Sequence, residues 1–161
     1  MKKIAIFVDV QNIYYTTRDR YGRQFNYREF WKRINAEGKV ITANAYAIQR
    51  DDDKQKKFQD ALKHIGFTVK LKPYIQRSDG SAKGDWDVGI TIDVMQAAND
   101  AANKVDTVVL LSGDGDFDML LGKIKNDYDV STEVYGVPEL TANSLIRAAD
   151  VFHQIDEDLL L

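Results

Sequence analysis

Two stretches of the chain, residues 4–8 and 108–111, are apolar at every position. Such runs are typical of strands that are buried on both faces of a parallel sheet. Residues 67–71 and 130–135 instead alternate between apolar and polar side chains, which predicts half-buried strands at the two edges of the sheet. Residues 40–48 are rich in β-forming side chains, and we interpret them as a further strand.

Between these strands lie segments in which apolar residues recur at helical spacing. The clearest case has Phe58, Ala61, Leu62 and Ile65 on one helical face, preceded by three aspartates that could cap the helix. A longer helix, opening at residue 85 or 87 and running to about residue 103, is apolar most of the way round, so we expect it to be well buried. The pattern also predicts helices over residues 27–36 and 117–125 and after residue 141, a short helix or loop over residues 12–20, a loop or small hairpin over residues 73–83, and a short terminal strand over residues 151–155.

Strands that alternate with helices need crossover connections, which favour a parallel sheet with helices on both faces. We therefore expect a single domain, residues 1–161, with a three-layer α/β/α fold and a central, mostly parallel sheet of about five strands. Placing the fully apolar strands in the middle and the alternating strands at the edges gives the order 3-2-1-4-5. The winding then reverses between strands one and four, and ligands of such sheets bind beyond the carboxyl ends of the strands at that point.

Carboxylates follow both of the central strands. Asp9 ends the first strand, and the segment Ser112-Gly113-Asp114-Gly115-Asp116 follows the fourth. The predicted topology brings these strand ends together, and clustered carboxylates are unfavourable unless a cation neutralises them or one of them is protonated. Because ligands that are all oxygen favour Mg²⁺ or Mn²⁺ over Zn²⁺, the pattern predicts a divalent metal site.

The start of the long helix supplies a further carboxylate. Asp87 is the candidate ligand there, and Asp85 is its rival. Asp93 lies six residues after Asp87, which is about 240° round a helix, so it cannot share the face of Asp87 and would support the site indirectly. Asn12 and Ser112 would position a water or a phosphate.

Simpler structural roles compete with these assignments. Asp87, Asp116 and Asn12 could each cap a helix, Ser112 could be a packing residue, and the segment of serine, glycines and aspartates could be only a turn. Asp9 is harder to explain in this way, because the pattern places no helix start directly beside it.

The composition narrows the chemistry further. The chain has no cysteine and only two histidines, which excludes thiolate chemistry and argues against a zinc site. Its net charge of −3 provides no general basic field, although Lys70, Lys72, Arg77 and Lys83 could form a local phosphate track. The sequence lacks a membrane-spanning stretch, a signal-peptide pattern, a nucleotide-binding glycine motif and a nucleophile elbow. We therefore expect a cytoplasmic protein.

Five segments occur in order along almost the whole chain: Phe-Val-Asp9-Val-Gln-Asn12, Lys83-Gly-Asp-Trp-Asp87-Val with Asp93, Ser112-Gly-Asp114-Gly-Asp116-Phe, Val134-Tyr-Gly and Ala-Asp150-x-Phe. Together they resemble the NYN domain family, in the LabA-like branch of the PIN-like nucleases. The resemblance implies a PIN-like Rossmannoid fold and metal-dependent RNA cleavage, with Asp9, Asp87, Asp114 and Asp116 as metal ligands. Asn12 and Asp93 match further motif positions. The sequence Gly-Asp-Trp-Asp departs from the family pattern Lys-Gly-x-Asp-Val, so the choice between Asp85 and Asp87 stays open.

Three functions fit this pattern. The first is a Mg²⁺- or Mn²⁺-dependent ribonuclease that hydrolyses phosphodiester bonds of RNA. The second is a non-catalytic PIN-like module that binds RNA or a protein, which the net negative charge favours slightly. The third is a phosphohydrolase that acts on small phosphate esters. An edge strand or the segment 73–83 would also allow a homodimer.

Overall fold

The computed structural model describes residues 1–50, 52–73, 75–76, 82–83 and 85–161. Helices cover both faces of a parallel sheet. The strands are β1 (Lys3–Asp9), β2 (Lys39–Gln49), β3 (Thr68–Pro73), β4 (Ile75–Gln76), β5 (Ala82–Lys83), β6 (Thr107–Leu111), β7 (Ser131–Gly136) and β8 (Val151–Gln154). The helices are α1 (Val10–Tyr21), α2 (Tyr27–Glu37), α3 (Asp53–Ile65), α4 (Asp87–Ala98), α5 (Asp118–Tyr128) and α6 (Asn143–Ala148), with short 3₁₀ turns at Gly115–Phe117, Pro138–Leu140 and Glu157–Leu159.

The main sheet has the order β3-β2-β1-β6-β7-β8, and all of its neighbouring strands are parallel. This confirms the predicted order 3-2-1-4-5 and adds the terminal strand β8 as a sixth. The small strands β4 and β5 pair with each other in antiparallel fashion, as expected for a hairpin. In the centre, Val8 of β1 pairs with Leu111 of β6. The residues that follow these two, Asp9 and Ser112, are therefore neighbours at the carboxyl edge.

The core forms one layer on each face of the sheet. Ile4, Ile6 and Val8 of β1 face the layer beneath α1, α2 and α3. Ala5 and Phe7 face the opposite layer, which is covered by α4, α5 and α6. This two-sided burial explains why β1 is apolar at consecutive positions. Within the described ranges, no helix has both the length and the apolar character that crossing a membrane requires.

The prediction that residues 130–135 form an edge strand is wrong, because β8 pairs along the outer side of β7. Two of the polar side chains in this stretch, Thr132 and Glu133, are buried and paired. Thr132 contacts Asp150, and Glu133 contacts both Lys2 and His153. Buried polar side chains with such partners give the same alternating pattern as a half-exposed strand.

The expected burial of the long helix is also wrong. The helix α4 ends at Ala98 and packs on the sheet along one face, through Ile90, Val94 and Ala98. Two apolar side chains point outward, with Val88 70% exposed and Ile92 51% exposed. Apolar residues around a helix therefore do not by themselves ensure a second covering layer.

Candidate metal centre

Asp9 lies at the junction of β1 and α1 and is 9% exposed. Its Oδ1 accepts a hydrogen bond from the backbone N–H of Asn12 at 3.4 Å, and its Oδ2 accepts one from the hydroxyl of Ser112 at 3.3 Å. Asp9 is therefore the N-cap of α1, contrary to the expectation that no helix starts beside it. The helix begins at Val10, directly after the strand, whereas the sequence pattern had placed its start at residue 12.

Asn12 and Ser112 connect the two strand ends. The Ser112 hydroxyl also accepts the backbone N–H of Asp114 at 3.1 Å, and the side-chain oxygen of Asn12 accepts the backbone N–H of Gly113 at 2.9 Å. At Gly113 an added Cβ would lie 2.6 Å from the carbonyl oxygen of Leu140, so only glycine fits this approach. These contacts fix the loop after β6 against the start of α1.

Three carboxylates meet at this edge of the sheet. Asp87 stands in the first turn of α4, and Asp114 and Asp116 follow β6. One oxygen atom from each of these three side chains lies within 4.8 Å of the others. Asp114 also accepts the backbone N–H of Asp116 at 2.9 Å, so it caps the short 3₁₀ turn there. The alternative in which Asp116 is the cap is wrong.

The electrostatics of the cluster favour a bound cation. Burial, followed by a hydrogen bond with Asp114 and the charges of Asp114, Asp85 and Asp9, raises the pKa of Asp87 to about 7. Burial raises the pKa of Asp9 to about 6, against the opposing hydrogen bonds from Asn12 and Ser112. Both shifts mean that negative charge is unfavourable here, and a divalent cation would offset it.

Asp9 and Asp85 stand beside the three clustered carboxylates. Asp9 is not one of the three within 4.8 Å, although its charge acts on Asp87 and it is linked to Asp114 through Ser112. Asp85 accepts the backbone N–H of Asp87 at 3.3 Å and is exposed. Of the two rivals at the start of α4, Asp87 is the one that joins the cluster.

Asp93 lies in a different contact network, on another face of α4. Its Oδ2 accepts hydrogen bonds from the Tyr46 hydroxyl at 2.8 Å and from the Lys70 ammonium at 2.7 Å. Asn44 in turn donates to the Tyr46 hydroxyl at 3.1 Å. These contacts fix α4, and with it Asp87, to β2 and β3. Tyr46 was missed by the sequence analysis, because nothing in a local pattern pairs it with Asp93.

Trp86 holds the start of α4. Its indole N–H donates to the carbonyl oxygen of Ala47 at 2.8 Å, and its ring leaves no room for a Cβ at Gly89. Lys72 lies 4.6 Å from the centroid of the Trp86 ring and donates to the carbonyl oxygen of Asp85 at 3.0 Å. Lys70 and Lys72 of the predicted phosphate track are thus both engaged in local contacts. Arg77 and the side chain of Lys83 lie outside the described residues.

Comparison with known proteins gives a consistent family assignment. The model of the NYN domain matches residues 3–156. The chain is 27% identical over 163 residues to the low amplitude and bright protein LabA of Synechococcus elongatus, covering 96% of this chain and 84% of that protein. A crystal structure of a Vibrio parahaemolyticus protein of unknown function is 54% identical and superposes with a TM-score of 0.92, covering 99% of this chain and 96% of that one.

Proposed function

The chain belongs to the NYN domain family, and from this premise we propose that it is a metal-dependent ribonuclease that hydrolyses phosphodiester bonds of RNA. The observation that carries the proposal is the meeting of Asp87, Asp114 and Asp116 within 4.8 Å at the carboxyl edge of the sheet. Ligands of many chemical classes bind at this edge in parallel α/β folds. An acidic cluster there favours a substrate whose reaction uses a bound cation.

The donor set fits Mg²⁺ or Mn²⁺, since all three clustered side chains offer carboxylate oxygen. Bound there, such an ion would offset the charge of a phosphate and activate a water molecule. Asp87, Asp114 and Asp116 would hold the ion, and Asp9 would complete the acidic site from the end of β1.

The neighbouring residues position these carboxylates. Ser112 is fully buried and already forms hydrogen bonds with Asp9 and with the backbone of Asp114. We therefore propose that Ser112 orients Asp9 and does not contact the phosphate. Asn12 holds the loop after β6 through Gly113. Asp93 keeps α4 in place through Tyr46 and Lys70.

The decisive experiment is cleavage of a labelled single-stranded RNA with Mn²⁺, with and without a chelator. We expect cleavage with Mn²⁺, no cleavage with chelator, and loss of cleavage in Asp114→Asn and Asp87→Asn. The matched control is Asp106→Asn, which changes an exposed carboxylate at the opposite edge of the sheet, beside Lys3, and should cleave as the wild type does. Cleavage that survives chelator or the Asp114→Asn change would overturn the proposal.

A substrate panel separates the other two candidates. Turnover of small phosphate esters without cleavage of RNA would indicate a phosphohydrolase. RNA or protein binding that is unchanged by Asp9→Asn, with no cleavage under any metal condition, would indicate a binding module.

A further inference from the structure

Two tyrosines stand exposed on the outer side of α1, the helix that Asp9 caps. Tyr14 is 46% exposed and Tyr15 is 38% exposed, and their ring centroids lie 5.4 Å apart in an edge-on arrangement. Single exposed apolar residues are common on protein surfaces. The planes of the two rings meet at 73°, so another flat ring can stack on the face of one tyrosine and contact the edge of the other.

A cation lies over both rings. The guanidinium carbon of Arg18 is 5.4 Å from the centroid of Tyr14 and 4.9 Å from that of Tyr15. Its side chain is 54% exposed, and its ion pair with Asp19, at 3.8 Å, is at the surface. Such a pair contributes little, so the charge of Arg18 remains available to a ligand. We call Tyr14, Tyr15 and Arg18 the tyrosine platform.

The tyrosine platform lies on the helix that Asp9 caps, and the charge of Asp9 acts on Asp87 of the acidic cluster. Tyr15 follows Asp9 by six residues, which is about 9 Å along a helix. That distance is the length of about three stacked nucleotides at about 3.4 Å each. Helical side chains also tilt toward the helix N-terminus, which here is the end at Asp9. A strand with one phosphate near Asp9 would therefore reach the platform with bases a few nucleotides away.

We propose that the tyrosine platform is a stacking subsite for unpaired bases of a single-stranded nucleic acid that passes the acidic cluster. The identity of this ligand rests on the proposed function. The chain has a net charge of −3 and carries clustered carboxylates at the site, so general charge attraction cannot supply affinity. Stacking of bases on aromatic and guanidinium planes is the source of affinity that remains. In a duplex the base faces are covered, so the subsite selects single strands.

The test measures binding apart from cleavage, by fluorescence anisotropy of a labelled ten-nucleotide RNA in chelator. Each stacked base contributes about 1–3 kcal/mol, so Tyr14→Ala and Tyr15→Ala should each weaken binding about 5- to 150-fold. Tyr15→Trp keeps an aromatic ring at this position and should retain most of the affinity for RNA that Tyr15→Ala loses. An abasic strand with the same number of phosphates should bind all of these proteins equally.

Two control variants complete the design. Val151→Ala changes an apolar residue of similar exposure on the edge strand β8 and should leave RNA binding unchanged. Lys39→Ala removes one positive charge at the amino-terminal end of β2, away from the site. It is the charge-matched control for Arg18→Ala in the RNA-binding measurement. Melting temperatures equal to that of the wild type would show that the exposed substitutions leave the fold intact.

The outcomes separate the two proposals. RNA binding that depends on the tyrosines without any cleavage would uphold the platform and overturn the ribonuclease proposal. RNA cleavage with wild-type binding in the double variant Tyr14→Ala/Tyr15→Ala would do the reverse. A wild-type protein that binds no single-stranded RNA, or variants that lose affinity for the abasic strand equally, would also overturn the platform.

Discussion

Replacing Asp9 with asparagine should stabilise the metal-free protein at neutral pH. Burial raises the pKa of Asp9 from the usual 3.8 to about 6, which means that the folded state disfavours the charged form. One pKa unit corresponds to about 1.36 kcal/mol, so ionised Asp9 costs the folded state about 3 kcal/mol at pH 7.5. Asparagine removes the charge and keeps an acceptor for the N–H of Asn12, while the bond to Ser112 reverses, with the amide donating to the hydroxyl oxygen.

The pH dependence fixes the sign of this effect. Since the folded-state pKa lies above the unfolded one, the stabilising contribution of Asp9 is complete below about pH 3.8 and is lost as the pH rises through about 6. The difference in stability between Asp9→Asn and wild type should therefore be largest at pH 7.5 and close to zero near pH 4. The pKa of Asp87, raised to about 7, acts in the same direction and is present in both proteins.

The assay is thermal and urea unfolding in chelator at both pH values. For a domain of this size, 1 kcal/mol corresponds to about 2–4 °C, so the variant should melt about 6–12 °C higher at pH 7.5. Asp106→Asn, at an exposed carboxylate, should give no comparable gain. Added Mn²⁺ should raise the melting temperature of the wild type more than that of Asp9→Asn. If the variant is less stable than wild type in chelator at pH 7.5, the reasoning from burial is refuted.

Two further substitutions test how the site is held. Gly113→Ala places a Cβ 2.6 Å from the carbonyl oxygen of Leu140 and should lower the free energy of unfolding by about 1–3 kcal/mol. The control is Gly122→Ala in α5, where an added Cβ has no neighbour within 4 Å. This change should raise the free energy of unfolding by up to about 1 kcal/mol. Equal effects of the two changes in urea unfolding would contradict the packing argument. Asp93→Ala leaves the buried Tyr46 hydroxyl without its acceptor and should cost about 1–3 kcal/mol. Asp93→Ala should also weaken Mn²⁺ binding in calorimetry, because α4 carries Asp87. Asp93→Asn keeps an acceptor for the Tyr46 hydroxyl and should lose less stability and less Mn²⁺ affinity. Wild-type Mn²⁺ affinity in Asp93→Ala would show that Asp93 does not support the site.

The strand order and the meeting of acids from different segments were predictable from sequence, because they depend on burial. A strand covered on both faces tends to be apolar at consecutive positions, and residues 4–8 and 108–111 show this over their whole length. Their central placement makes Val8 and Leu111 neighbours. The residues that follow each strand then fall at one edge, whatever the details of the helices.

The features that sequence reasoning missed depend on contacts between distant segments. Glu133 reads as an exposed position, but it is buried against Lys2 and His153, which are 131 and 20 residues away. The contact between Asp93 and Tyr46 spans 47 residues. Local patterns carry no information on such partners. The capping role of Asp9 was missed for a different reason, since a helix that begins directly after a strand leaves no polar linker to mark its start.

The local structure around the acidic cluster is itself an argument for a ligand. Asp9, Asp114 and Asp87 each have a nearby structural role or contact, but none of these requires the carboxylates to share one edge. Asparagine or serine would cap the same turns without a charge, whereas burial, and after it repulsion between the carboxylates, raises the pKa of Asp9 and Asp87. Hydrogen bonds from Asn12 and Ser112 nevertheless hold the strand ends together. An arrangement that destabilises the metal-free fold and is fixed from both strands is what a site for a divalent cation requires.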